Sequence, residues 1–129
     1  MKLAGLAFSL LLATSASAQV QTGVQSSDGA LLRGLDTVTG QTEDIQVFVG
    51  DRVMFRRLEV FLTDCRYPTE SPASEAYAFL TIRDIREDEP RFRGWMVASS
   101  PALSALDHPR YDVWVLRCSI PDEEASDNG

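Results

Sequence analysis

The chain has 129 residues, with 19 acidic side chains against 12 basic ones and a formal net charge of −7. An acidic chain without a basic run is a poor partner for nucleic acid or for an anionic membrane surface. One histidine and two cysteines also fall short of the three or four nitrogen or sulfur ligands that a zinc site takes.

The first residues read as an export leader. Lys2 supplies the positive start, Leu3 to Ala13 the apolar run, and Ala16-Ser17-Ala18 the small residues that a signal peptidase inspects. Cleavage is expected after Ala18, so 1–18 is a signal peptide. Lys2 is the one lysine, and its removal takes the net charge from −7 to −8. The apolar run is shorter than the ~20 residues of a membrane span, and no other segment comes close, so the expectation is a periplasmic protein with no membrane span. In an oxidising compartment an even cysteine count predicts one structural disulfide, between Cys65 and Cys118.

Residues 19–28 are polar and are expected to be a flexible lead-in. A strand is predicted over Ala30 to Leu35, a turn over Asp36 to Gly40, and a second strand over Glu43 to Val49, closed by Gly50-Asp51. Arg52 to Phe55 and Arg57 to Cys65 follow as strands. In the second, strict alternation points Leu58, Val60 and Leu62 one way and Glu59, Phe61, Thr63 and Cys65 the other. Arg66 to Ala76 reads as a loop, Tyr77 to Arg83 as a strand, Asp84 to Pro90 as a charged connection and Arg91 to Ala98 as another strand. Ser100 then looks like an N-cap with Pro101 at the first helical position. Leu103 and Leu106 would share a face of the short helix that Pro109 stops, and Tyr111 to Ser119 is the last strand. The class is all-β: a compact antiparallel sandwich, or second a small barrel, of about seven short strands with one short helix. Residues 29–119 form the single β domain, and 120–129, with Asp122, Glu123, Glu124 and Asp127, an acidic disordered tail.

The chemistry is sparse. Ser99, Ser100 and Ser104 lie near His108, Asp107 and Asp112, so the parts of a hydrolase triad are present. There is no Gly-x-Ser-x-Gly elbow, and Ser100 and His108 have ordinary uses as helix caps. No catalytic residue, no metal site and no cofactor is therefore assigned. The carboxylates lack the Asp-x-Asp-x-Asp-Gly spacing of a calcium loop, and a domain this small offers little room for a deep sugar cleft. Trp95 and Trp114 sit on strands joined by the helical turn and could be neighbours in one sheet. Exposed with Tyr111 or Tyr77, they would stack a sugar or grip a peptide. Surrounded by Val97, Val113 and Leu116, they are expected instead to pack into the core around the disulfide, with Trp114, Leu116 and Cys118 on one strand face.

Three segments carry a family resemblance: Leu32-Arg-Gly-Leu-Asp-Thr-Val-Thr-Gly40, Phe55-x-x-Leu-Glu-Val60 leading to Cys65, and Gly94-Trp-Met-Val-Ala-Ser-Ser-Pro-Ala-Leu-Ser-Ala-Leu-Asp-His-Pro109 continuing through Tyr111-Asp-Val-Trp-Val-Leu-Arg-Cys118. With these the chain resembles the DUF2155 family, exported proteins of alphaproteobacteria without an assigned function, although Thr37 stands where that family usually has lysine. The resemblance implies a periplasmic location and supports pairing Cys65 with Cys118, and it carries no catalytic assignment. The expected function is a non-enzymatic domain binding an unknown protein or envelope component, with Trp95, Trp114, Tyr111 and His108 as candidate binding residues. The alternatives are a small envelope hydrolase using Ser100 or Ser104 with His108, and a glycan-binding module using Trp95 and Trp114.

Overall fold

The computed structural model describes residues 23–120 together with Gly5. The expected signal peptide and all but the first residue of the expected acidic tail lie outside the described residues. Eight strands are present among the described residues: β1 (Val24–Ser26), β2 (Gly29–Asp36), β3 (Thr42–Phe48), β4 (Arg52–Phe55), β5 (Leu58–Pro68), β6 (Tyr77–Asp84), β7 (Phe92–Val97) and β8 (Tyr111–Cys118). They form two antiparallel sheets, a five-stranded one in which β1 and β4 both pair β5, followed by β6 and β7, and a three-stranded one ordered β3-β2-β8. The all-β sandwich expected from the strand pattern is therefore the fold.

Alternation decides what lies between the sheets. Ala30 and Leu32 of β2, Ile45 and Val47 of β3, and Val113 and Val115 of β8 are buried against Leu58, Val60, Leu80 and Ile82 of β5 and β6. Gly34 takes its place in the inward row of β2 because a Cβ there would lie 2.7 Å from the Phe55 ring. Gly40 and Gly50 supply positive φ at the turns that close β2 onto β3 and β3 onto β4.

The sequence pattern breaks at two β-bulges, and both break for the same purpose. In β5 the pairing with β6 shifts between Leu62 and Asp64, leaving Thr63 as the extra residue. In β8 the pairing with β2 steps from Val115 to Arg117, leaving Leu116 extra. A bulge reverses the inward phase of everything after it. Strict alternation would have turned Cys65 and Cys118 to opposite outer surfaces; after the bulges both are buried, with Cα atoms 5.7 Å apart and a disulfide between them. The expected pair is correct, and the expected faces are not: Cys65 shares the face of Leu62, and Trp114 does not share the face of Cys118.

Three further expectations are corrected. The lead-in over 19–28 contains β1, whose Val24–Ser26 find partners in Pro68, Tyr67 and Arg66, a long-range pairing that composition does not show. The same pairing extends β5 three residues into the expected loop. The short helix shrinks to one 3-10 turn, Pro101–Leu103, ended by an extended Ser104. Pro101 does open it, but Ser100 makes no side-chain cap, Leu103 is 79% exposed and Leu106 alone is buried. Without a shared apolar face, so short a turn has nothing to propagate it.

Two measurements check the staple. Protein from an oxidising compartment should carry no alkylatable thiol by mass analysis, and replacing Cys65 and Cys118 together by Ala should lower unfolding stability by about 2–5 kcal/mol. Deleting Thr63 removes the extra residue of β5, and regular alternation from Leu62 through Asp64 then carries Cys65 inward, so that variant should keep the disulfide and expose no alkylatable thiol.

Candidate functional site

Of the polar residues that suggested catalysis, His108 is bound into the fold on both ring nitrogens, and two aspartates that did not suggest it organise its surroundings. Asp84 ends the inward row Ala78, Leu80, Ile82 of β6, and Asp36 ends the inward row Ala30, Leu32, Gly34 of β2. Both are buried carboxylates at the end of the sandwich opposite the disulfide. Both grip the same short segment, His108 to Tyr111, as it enters β8.

Asp84 accepts a hydrogen bond from Nε2 of His108 at 2.9 Å and from the Arg86 backbone N–H at 3.0 Å. His108 Nδ1 accepts the backbone N–H groups of Arg110 and Tyr111 at 3.0 and 3.1 Å. With Nδ1 accepting, the ring proton sits on Nε2 and is donated to Asp84. The imidazole stacks on Tyr111 at 5.1 Å between centroids. The Arg57 guanidinium lies over the other partner of that stack, 5.2 Å from the Tyr111 ring, with its buried Nε 3.8 Å from Asp84. The Arg86 amide and the His108 ring together hold the Asp84 carboxyl well below the usual carboxylate range, against the opposing effect of burial.

Asp36 works in the same way on the other sheet. Arg110 forks onto it through Nε at 3.3 Å and Nη2 at 3.0 Å, and the Val38 amide donates to Oδ1 at 3.0 Å. The Arg110 hydrogen bonds lower its carboxyl from the ordinary value, backed by the Val38 and Thr39 amides. Thr37 closes the clamp, giving both its N–H and its hydroxyl to the Arg110 carbonyl.

This arrangement leaves the hydrolase constellation unassembled. Both His108 nitrogens are occupied, and neither Ser100 nor Ser104 is hydrogen-bonded to them. The Ser99 hydroxyl is bonded to Glu75, and Asp112 accepts the Val113 amide. His108 is no helix cap either, since the 3-10 turn ends before it. Asp84, Glu87 and His108 each place one potential metal-ligand atom within 4.8 Å of the others. Their oxygens already face Arg57, Arg86 and Arg91, so the cluster is charge-balanced by guanidinium groups rather than set up for a cation.

The exposed chemistry lies on the outer face of the five-stranded sheet. Trp95 is 37% exposed and faces outward, which corrects the expectation of a core tryptophan. It meets Phe79 edge-on at 5.3 Å, and Arg66 lies over its ring at 5.0 Å, held there by Asp64 at 2.7 Å. Val24, Arg66, Tyr77 and Trp95 line an apolar depression of about 260 Å³. Trp114 is half-buried on the outer face of the other sheet, paired across from Arg33. The two tryptophans are therefore in different sheets and make no joint platform, because the chain between them crosses from one sheet to the other. Tyr111 and His108 are interior residues and part of neither face. Of the four candidate binding residues Trp95 alone sits at this depression, together with Tyr77, which the exposed-platform reading also named. Arg66, Phe79 and Val24 were missed, Val24 because β1 itself was.

The comparison with known families is decided over most of this frame: residues 30–118 match the model described as an uncharacterized protein conserved in bacteria, DUF2155. The chain belongs to the DUF2155 family. It is similar to the uncharacterized protein RP359 of Rickettsia prowazekii (strain Madrid E), 30% identical over 87 residues, which is 65% of this chain and 56% of that relative. This DUF2155 chain thus spans little more than half the length of the curated relative it matches. No solved structure matches it. Among the described residues no helix is long and apolar enough to cross a membrane.

The latch has a defined pH signature. Because Asp84 is depressed in the folded state, its stabilisation is complete above the ordinary carboxylate range near pH ~4 and is lost as pH falls below it. Asp84→Asn should therefore lower stability at neutral pH and flatten the acid limb of the stability–pH curve. His108→Ala should cost about 1–3 kcal/mol by leaving a buried partner unpaired, whereas Ser100→Ala and Ser104→Ala should stay within about 0.5 kcal/mol of wild type. Denaturant titrations across pH measure all of these.

Proposed function

We propose that this protein is an exported, non-enzymatic binding domain that holds a protein of the cell envelope on the outer face of its five-stranded sheet. The observation that carries the reading is the half-exposed Trp95, seated between Arg66 and Phe79 beside the Val24–Tyr77 depression. A rigid aromatic anchor beside an apolar hollow and an arginine is the composition of an interface hot spot. The disulfide is consistent with export to an oxidising compartment, and the leader-like pattern of residues 1–18 is in keeping with a periplasmic location. The commitment of His108, Asp84, Asp36 and Ser99 to internal contacts favours binding over hydrolysis.

The test uses the mature protein as bait in crosslinked periplasm. Trp95→Ala should lose the captured partner while Trp114→Ala keeps it; equal capture by both variants overturns the reading. In Trp114→Phe, Trp95 is the remaining tryptophan, and its emission should shift on adding the captured protein and stay unchanged with peptidoglycan fragments. A response to the fragments alone would replace the protein partner by a glycan.

A further inference from the structure

A two-sheet sandwich has open strand edges, and the edges here are unequally protected. β1 and β4 are three and four residues long and share one side of β5 end to end. β3 presents Glu43 and Asp44 beside each other, so pairing it with a copy of itself brings acids together. β8 is bent by the bulge at Leu116, and Asp112 occupies the Val113 amide. These are the usual devices that stop edge-to-edge association.

β7 has none of them over its central residues. Its register against β6 runs without a shift from Tyr77↔Val97 to Ile82↔Phe92. The Ala98 amide bonding to the Ala76 carbonyl sets the phase, so Phe92, Gly94 and Met96 turn their peptide groups towards β6. Arg93 and Trp95 turn theirs outward, and those groups have no hydrogen-bond partner among the described residues. Arg93 is exposed and forms no ion pair among them either.

We infer that β7 is the interface between two copies of this chain, paired antiparallel about a two-fold axis at Gly94. The register follows from the side chains. Centring the pair on Arg93 sets two guanidinium groups against each other, and centring it on Trp95 calls on the Val97 carbonyl, which already accepts from the Ser100 amide. Centring on Gly94 places Arg93 of each copy across from Trp95 of the other, a cross-strand cation–π pair made twice. It satisfies the outward groups of Arg93 and Trp95 with about four backbone hydrogen bonds. Phe92 and Met96 then meet on the inner side, where the absent side chain of Gly94 leaves room. The two five-stranded sheets become one continuous sheet, with the two Trp95 depressions on a common face.

The interface can be tested apart from the depression, because Arg93 does not line it. Wild-type protein should sediment with twice the chain mass in the millimolar range. Arg93→Pro should halve that mass with its unfolding transition kept, since it removes an outward N–H and leaves the β6 ladder intact. In the proposed register the Gly94 Cα atoms lie about 4.5 Å apart, within disulfide reach, while the two Arg93 Cα atoms lie about 8–9 Å apart, beyond it. A Cβ at Gly94 meets only the tip of Phe92 at 3.7 Å. Gly94→Cys should therefore oxidise to a covalent dimer and Arg93→Cys should not. A wild type that stays monomeric in the millimolar range, or equal crosslinking of the two cysteine variants, overturns the inference.

Discussion

Everything in this fold depends on keeping two small sheets face to face, and the chain does it differently at its two ends. At one end the Cys65–Cys118 disulfide joins β5 to β8 covalently. At the other, Asp84 of the five-stranded sheet and Asp36 of the three-stranded sheet hold the four residues His108 to Tyr111 between them. The second device is the more demanding. Each carboxylate is buried, so each must be fully hydrogen-bonded to be tolerated. The bonds come from backbone amides, a histidine and an arginine whose positions the sheets themselves fix. His108 is thereby a strut, with the Tyr111 ring stacked on it and Arg57 on the ring.

The disulfide imposes an opposite demand on regularity. A strand with unbroken alternation cannot bury Leu58, Val60 and Leu62 and also Cys65, because the parity is wrong. The same holds for Tyr111, Val113, Val115 and Cys118. Two single-residue bulges, at Thr63 and Leu116, resolve both conflicts. They also explain why Trp114 lies outside although Cys118 lies inside. The staple and the separation of Trp114 from the face of Cys118 are thus consequences of one local irregularity repeated on two strands.

That irregularity separates what could be read in the sequence from what could not. Strand-length apolar runs and Gly or Pro punctuation place β2 to β8 within a few residues, and with them the class. The cysteine pair follows from count and compartment. The faces do not follow, since a bulge leaves no composition signal and depends on the partner strand. β1 is invisible because its stability comes from Tyr67 and Arg66, which lie about 40 residues away in sequence. The latch carboxylates did leave a signal: Asp36 and Asp84 each continue the inward parity of an apolar row, where a solvated acid has no reason to be. An acid in phase with the core is a buried acid, and its partner is then sought among the arginines and the one histidine.

The segments that carry the family resemblance lie almost wholly on this frame. Leu32 to Gly40 contains Gly34, which admits the Phe55 ring, and Asp36 with the turn that caps it. The run through Pro109 and on to Cys118 contains His108, Tyr111, the bulge and one half of the disulfide. Of the depression's lining only Trp95 falls within the quoted segments, and Val24 lies outside the matched residues 30–118 altogether. Membership of the family therefore reports how the sheets are held together, and it is silent about what the outer face meets. A frame closed by internal clamps leaves its largest sheet free of structural duty on the outside, so the aromatic and arginine side chains placed there are explained by a partner more readily than by the fold.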